Sequence, residues 1–242
     1  MKYKLWIYLG FFGVLFSAFL FFVLKDHDYS KSKLGIINPL VPGFTFIDQD
    51  GKAITQDITD DKVYVAEYFF TTCKGICPMM NANMRRVYNE YKNENNFLIL
   101  SHTCMPEVDS MPVLKKYANK MITGKLIRND GGSYKIKNGD DTSIIVKNTN
   151  WHFLTGDKEA LYKMARQGYM IDNGKPDSLQ KIQDQFIHTQ FFALVDKNRR
   201  VRGIYDGLKE NEVEKLIVDI KELLNEKVTS QRFMNGFSNN PN

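Results

Sequence analysis

The chain reads as an α/β protein in which helices cover both faces of a central sheet, a three-layer α/β/α sandwich. Three observations lead there. Residues 62–70 are almost unbroken apolar sequence, as expected of a strand buried on both sides. A helical pattern over 79–93 and a second apolar run at 97–101 follow, which together make a β-α-β unit with a right-handed parallel crossover. Between the first strand and the helix stands Thr71-Thr72-Cys73-Lys74-Gly75-Ile76-Cys77-Pro78. That is the carboxyl end of a strand, where open α/β sheets place their chemistry.

The elements follow in order. Lys2 and Lys4 precede 5–24, a stretch without charge. At ~1.5 Å per helical residue it just spans a bilayer core. It is longer than a signal-peptide core and no clear small-x-small cleavage site follows, although a cleaved signal is the alternative. No cysteine comes after it to take a lipid. The positive flank places the N-terminus inside. The expectation is a single-pass anchor, residues 1–25, in a bacterial inner membrane with the remaining domain in the periplasm. Residues 26–38 read as a polar linker that carries His27, and 39–43 are held extended by prolines. Residues 44–48 and 54–58 form a β-hairpin about Asp48-Gln49-Asp50-Gly51, and Asp60-Asp61 is a further turn. Glu67 interrupts the long apolar strand. His102-Thr103-Cys104-Met105-Pro106 leaves the second strand at the edge that holds the dithiol. A helix over 108–121 follows, with Asp109 or Ser110 as its cap.

Residues 133–137 and 142–147 alternate about Asn138-Gly139-Asp140, which predicts an inserted hairpin, roughly 125–149, projecting from the domain. A short strand at 150–154 leads through Thr155-Gly156-Asp157 into a helix at 158–166, and 169–181 is a turn-rich loop. Residues 191–195 and 200–205 form the last hairpin. The final helix, 209–227, presents Val213, Leu216, Ile217, Ile220, Leu223 and Leu224 on one face. The domain is expected over 39–228, with a flexible polar tail at 229–242. No repeat is present. The order β-α-β, helix, β-β-α around a dithiol at a helix start is a thioredoxin-like arrangement.

Composition bounds the function. The chain has 242 residues, 43% hydrophobic and 25% charged, enough for one domain with a real core. The net charge of +5 comes with both signs interspersed and no long basic run, so nucleic acid is not implied. Three cysteines make no disulfide framework; one pair and one leftover suggest a site. Thiols four residues apart at a helix start share a face, and the free N–H groups and dipole there favour thiolate. Thiolate binds soft metal and attacks disulfides, so the residues leave two readings open: holding a soft metal, or exchanging electrons with another dithiol.

With these motifs in place, the chain resembles the Sco/SenC family of membrane-anchored copper proteins over most of 42–224. The cysteine stretch is similar to the family's Thr-x-Cys-x-x-x-Cys-Pro signature, with three spacer residues where thioredoxin reductants have two. Phe44-Thr45-Phe46-Ile47-Asp48-Gln49-Asp50-Gly51 resembles its opening hairpin. Trp151-His152-Phe153-Leu154-Thr155-Gly156 resembles its Leu-Thr-Gly segment, and Phe186-Ile187-His188-Thr189 its Asp-His-Ser/Thr segment. The resemblance implies a thioredoxin-like domain binding one copper ion through Cys73, Cys77 and His188. It also implies service to the binuclear copper centre of cytochrome c oxidase, whose copper-centre subunit becomes the expected partner, with another periplasmic thiol-disulfide or copper carrier as a second one. Two thiolates and an imidazole suit Cu(I) on general grounds.

The departures raise further expectations. Where many members carry Asp-Pro-x-x-Asp, this chain has His102-Thr103-Cys104-Met105-Pro106-Glu107-Val108-Asp109. Cys104 is a substitute ligand, a resolving thiol or, most simply, a small buried hydrophobe. His102 reads as structural. Glu67 lies six residues before Cys73, a spacing similar to that of thioredoxin's buried acid, and is either a proton acceptor beneath the dithiol or an exposed strand residue. Met79, Met80 and Met84 read as core fillers, Arg85-Arg86 as a solvated helix face, and His152 has no evident role. The leading function is a copper metallochaperone. The alternative is a thiol-disulfide oxidoreductase with Cys73 attacking and Cys77 resolving, and a peroxidase-like or redox-sensing module is a weaker third.

Overall fold

The computed structural model describes residues 2–25, 32–137, 150–172 and 189–227. His27, the arm expected at 142–147, His188 and the tail lie outside those residues. The chain divides into two units, 1–31 and 32–242. The first carries helix α1, Lys2–Lys25, whose Trp6, Phe11, Phe12, Phe16 and Phe19 side chains are exposed. Among the described residues no helix is long and apolar enough to cross a membrane. For 5–24 the structure adds the helix alone.

The second unit opens on the expected hairpin, β1 (Thr45–Asp48) against β2 (Ala53–Thr55). Asp48 closes its turn by accepting from the Asp50 and Lys52 amides, both at 2.9 Å, while Gly51 takes the left-handed conformation at φ +78°. The return arm is shorter than expected. Thr55 Oγ1 accepts from the Asp57 amide and the Thr59 hydroxyl donates to the Gln56 carbonyl, so Gln56–Thr59 winds into one 3-10 turn.

β3 (Val63–Phe69) is buried at every residue. Its successive side chains alternate between two cores. Val63, Val65 and Phe69 face α2 (Cys77–Tyr91); Tyr64, Ala66 and Tyr68 face the opposite layer. β4 (Phe97–Thr103) runs parallel to β3, Val63 opposite Phe97 through Phe69 opposite Thr103, as the β-α-β reading required. Helix α3 (Met111–Thr123) packs Leu114, Ala118, Met121 and Ile122 into the α2 core. Ser110 occupies its N-cap without a side-chain cap bond.

The first arm of the expected insert is a strand, and within the described residues its partner is an earlier one. β6 (Tyr134–Lys137) pairs backward with β5 (Lys125–Arg128), through a turn in which Gly132 has φ +83°. It also packs on the domain rather than projecting from it. Ile136 joins the α2 core and the Tyr134 ring lies 4.5 Å from the Arg86 guanidinium. The same packing corrects the reading of Arg85 and Arg86 as a solvated face. Arg86 pairs with Glu210 at 2.8 Å, and Arg85 donates to Asn89 and to the Met121 carbonyl.

β7 (Trp151–Thr155) lies parallel to β4. Asp157 caps α4 (Lys158–Lys163) by accepting from the Ala160 amide at 2.8 Å, and a wide turn, Met164–Gly168, ends it. β8 (Phe191–Val195) and β9 (Val201–Asp206) form the last hairpin, and α5 (Glu210–Asn225) buries Val213, Leu216, Ile220 and Leu223. Seven of the described strands form one sheet, β2-β1-β7-β4-β3-β8-β9, with β3 and β4 inside it, and β5 and β6 form a separate pair. Helices α2, α3 and α5 cover one face; α4 and the 41–46 and 164–171 segments cover the other. This is the three-layer thioredoxin-like arrangement.

The domain also begins earlier than residue 39. The Asn38 and Val201 backbones bond to each other, and the Leu34 carbonyl accepts from Arg202 at 2.7 Å. Arg202, 4% exposed in its side chain, also meets Asp196 at 2.8 Å and Glu226 at 2.9 Å. One buried guanidinium therefore joins the leading segment, the β8–β9 turn and the end of α5. Removing one member of a buried ion pair strands the others. Arg202→Ala is expected to lower the urea unfolding free energy by about 3–5 kcal/mol.

Candidate functional site

The chain leaves β3 at Phe69 and turns at once. The Cys73 amide donates to the Phe70 carbonyl at 3.2 Å, and α2 begins at Cys77 with Pro78 in its first turn, where a missing N–H costs nothing. The two thiols therefore do not share a helix face as expected. Cys73 stands half-buried in the loop, and Cys77, 5% exposed, is the first helical residue. Both line a cavity of about 480 Å³ at the carboxyl edge of the sheet, together with Tyr68, Phe70, Cys104 and Thr189. All three cysteines are free thiols in this structure.

The electrostatics at Cys77 reverse the expectation from its helix position. Burial pushes its thiol up to about 12, and the Cys73 thiol and Glu67 carboxyl add to the rise; a backbone hydrogen bond from Phe70 opposes it. Desolvation of an anion in a core of Phe69, Met80 and Met84 outweighs the partial charge at the end of one helix. Those two methionines are the core fillers the pattern suggested, both fully buried. Cys104 is likewise buried in the opposite core, its Sγ donating to the Phe69 carbonyl at 3.3 Å and its thiol pushed up by burial. It is thus a small buried side chain that also forms part of the cavity wall.

His102 is not part of the site. Its ring stacks on Tyr68 at 5.0 Å, its Nδ1 lies 3.1 Å from the Leu100 carbonyl, and burial lowers its pKa to about 4, so it is a neutral ring in the core. His152 lies against Asp48, its Nδ1 3.6 Å from a carboxylate oxygen. His188 lies outside the described residues, and among those described no three His, Cys, Asp or Glu side chains are placed to hold a metal. The next residue in the chain is described. Thr189 is buried, donates to the Ile171 carbonyl at 2.6 Å, and lines the same cavity as the two cysteines.

Two buried acids lie on the segments that carry the site, and the sequence pattern singled out one of them. Glu67 is fully buried rather than exposed. Its Oε1 accepts from Ser101 at 2.6 Å, Ser101 in turn accepts from the Trp151 indole at 2.8 Å, and Oε2 has no hydrogen-bond partner among the described residues. Burial raises its pKa to about 8, against the bond from Ser101. Asp109, considered only as a helix cap, turns instead between β3 and β4. Its carboxylate accepts from the Thr71 amide at 3.3 Å and from the Thr71 and Thr103 hydroxyls. The signal available for it was the clustering of Thr71, Thr103 and Asp109 at the carboxyl ends of two adjacent parallel strands.

The sign of the Glu67 effect on stability follows from its two ionisation ranges. An unfolded glutamate loses its proton near 4.5, whereas the folded one keeps it to about 8. The stability that Glu67 contributes is therefore fully present below the lower value and is lost as pH rises toward the upper one. Glu67→Gln removes this dependence. Urea unfolding is expected to show the variant gaining on the wild type between pH 5 and 8, with a slope approaching roughly 1.4 kcal/mol per pH unit.

Comparison with known proteins agrees with this arrangement. The SCO1/SenC family model matches residues 37–138 and 141–225. A SCO1 protein homolog from Bacillus subtilis is 29% identical over 187 residues, 76% of this chain and 83% of the relative. The solved structure of BsSco, described as having a disulfide switch and as a member of the Sco family of cytochrome c oxidase assembly proteins, has a TM-score of 0.59 at 28% identity and covers 81% of this chain and 100% of that one. ScoI of Bradyrhizobium japonicum, solved with copper bound, shares the fold with a TM-score of 0.51 at 18% identity, over 76% of this chain and 99% of that one. With the match covering most of the domain and the dithiol loop at its carboxyl edge, the chain belongs to the SCO1/SenC family.

Proposed function

We propose that the protein is a membrane-anchored copper metallochaperone that holds one copper ion through Cys73, Cys77 and His188 and delivers copper to, or prepares, the binuclear copper site of cytochrome c oxidase. The observation that carries the reading is that Cys73, Cys77 and Thr189 line one cavity, because Thr189 is the residue bonded to His188. Two sulfurs and an imidazole make a donor set suited to Cu(I). A copper-bound relative of the same fold and a relative described as an oxidase assembly protein support the cargo and the partner. Copper is passed between sets of thiolates by ligand exchange. Half-buried Cys73 is placed to release first, and buried Cys77 to hold longest. Anchoring is supported by α1 with Lys2 and Lys4 at its start, which favours an inner-membrane span with the domain in the periplasm.

The unequal exposure of the two thiols also supports a second activity, reduction of a disulfide on the target. The Cys73 thiolate attacks one target sulfur and releases the other as thiolate; Cys77 then attacks Cys73 and releases the second. The target gains two electrons and the Cys73–Cys77 pair loses them. Glu67 takes a proton from this site only as a carboxylate, which burial confines to the region above about pH 8.

The full-length His188→Ala protein separates the two activities. It is expected to lose tight Cu(I) binding in chelator competition, by at least a hundredfold, while its dithiol still cycles between reduced and oxidised forms. Retention of tight 1:1 copper would refute the ligand assignment. The full chain is also expected to sediment with membranes and to resist carbonate extraction, whereas a chain lacking residues 2–25 is released; equal release of both would remove the anchor.

A further inference from the structure

The carboxylate of Asp109 is fully buried, yet the donors that the structure gives it, the Thr71 amide and the Thr71 and Thr103 hydroxyls, are all neutral. Among the described residues no cation pairs with it, and a buried acid of that kind persists where its hydrogen bonds are needed. Capping α3 is not that need, because the cap position is Ser110 and carries no side-chain bond. The segment that presents Asp109 is closed on itself: the Val108 and Asp109 amides donate to the Met105 carbonyl at 3.0 and 2.9 Å, and the Met105 amide donates to Thr103 Oγ1 at 3.0 Å. Asp109 is thus a fixed post set between the ends of β3 and β4. One of its contacts is two residues before Cys73, and the other is one residue before Cys104.

We propose that Asp109 is a positioning residue that holds the Cys73–Cys77 loop closed over its cavity, keeping Cys77 covered and both sulfurs in the arrangement that binds metal. The proposal deepens the copper reading and rests on it only for the affinity. The loop starts at Thr71, and Thr71 is tied through both its amide and its hydroxyl, which fixes the position and the direction in which the chain leaves the strand. Without the carboxylate, the Thr71 amide and hydroxyl lose this acceptor and the five-residue path from Cys73 to Cys77 is free to open.

The test uses the reduced full-length protein and its Asp109→Ala, Asp109→Asn and Thr71→Val variants. Iodoacetamide labelling resolved by mass spectrometry, well below the unfolding temperature, reads the cover over Cys77, and chelator competition reads Cu(I) affinity. Asp109→Ala is expected to label Cys77 at least fivefold faster and to bind Cu(I) at least tenfold more weakly, with Asp109→Asn between it and the wild type. Val213→Ala, a truncation in the α5 core, is expected to lower Tm without moving either reading. If folded Asp109→Ala stays within twofold of wild type in both, or if Val213→Ala reproduces its changes, the proposal is overturned. Should Asp109→Ala fail to fold, Thr71→Val decides by the same labelling: a rise of at least twofold supports the clamp and no rise overturns it. A wild type that binds no Cu(I) defeats the copper reading, while the labelling still reports on Asp109.

Discussion

The structure depends on one strand pair. β3 and β4 run parallel in the interior of the sheet, buried on both faces, with Phe69 level with Thr103 where the strands end. Burying side chains of this size stabilises the fold by about 1.5–3 kcal/mol each, and a one-residue slip would turn Val63, Val65 and Phe69 away from the α2 core. The register is therefore strongly held, and so is the edge it creates. The dithiol loop, Cys104 and the Asp109 turn are all attached to those two strand ends, while Thr189 joins the cavity from the segment before β8.

Rigid burial also decides the chemistry. The start of a helix favours a thiolate, but Cys77 enters α2 from within a core, and its desolvation is the larger effect. The resulting pair is asymmetric, with a reachable Cys73 and a protected Cys77. A cation placed beside Cys77 would offset the desolvation that now holds it as a thiol, whereas a second anion there would add to it. Glu67 lies under the same constraint. Its place in a fully buried strand, bonded to Ser101 and through it to Trp151, keeps it neutral through most of the physiological range.

The outer parts of the domain show how local signals are overruled. Residues 133–137 were legible as a strand by alternation, but its pairing with Lys125–Arg128 was not, because alternation alone does not say which segments lie at a strand's edges; Tyr134 stacks on Arg86 of α2 and Ile136 packs against the α2 core. Arg85 and Arg86 carry no sign in their own neighbourhood of the groups that meet them, since Glu210 and Met121 come from distant elements. The leading segment looked like tether through residue 38, and it is the Arg202 guanidinium, far along the chain, that brings Leu34 into the domain.

By itself the sequence determined the layer architecture, the parallel β-α-β unit and the dithiol at its carboxyl edge, because unbroken apolar runs, helical periodicity and cysteine spacing are local and survive without coordinates; the family was legible as a resemblance of four separate segments. Only the tertiary structure decided that Glu67 is buried and neutral, that Cys104 shares the cavity wall, that Cys77 is held as a thiol, and that Asp109 ties the loop rather than capping a helix. Those properties depend on how far each group is removed from water and on which distant donors surround it, and such quantities exist only once the chain has folded.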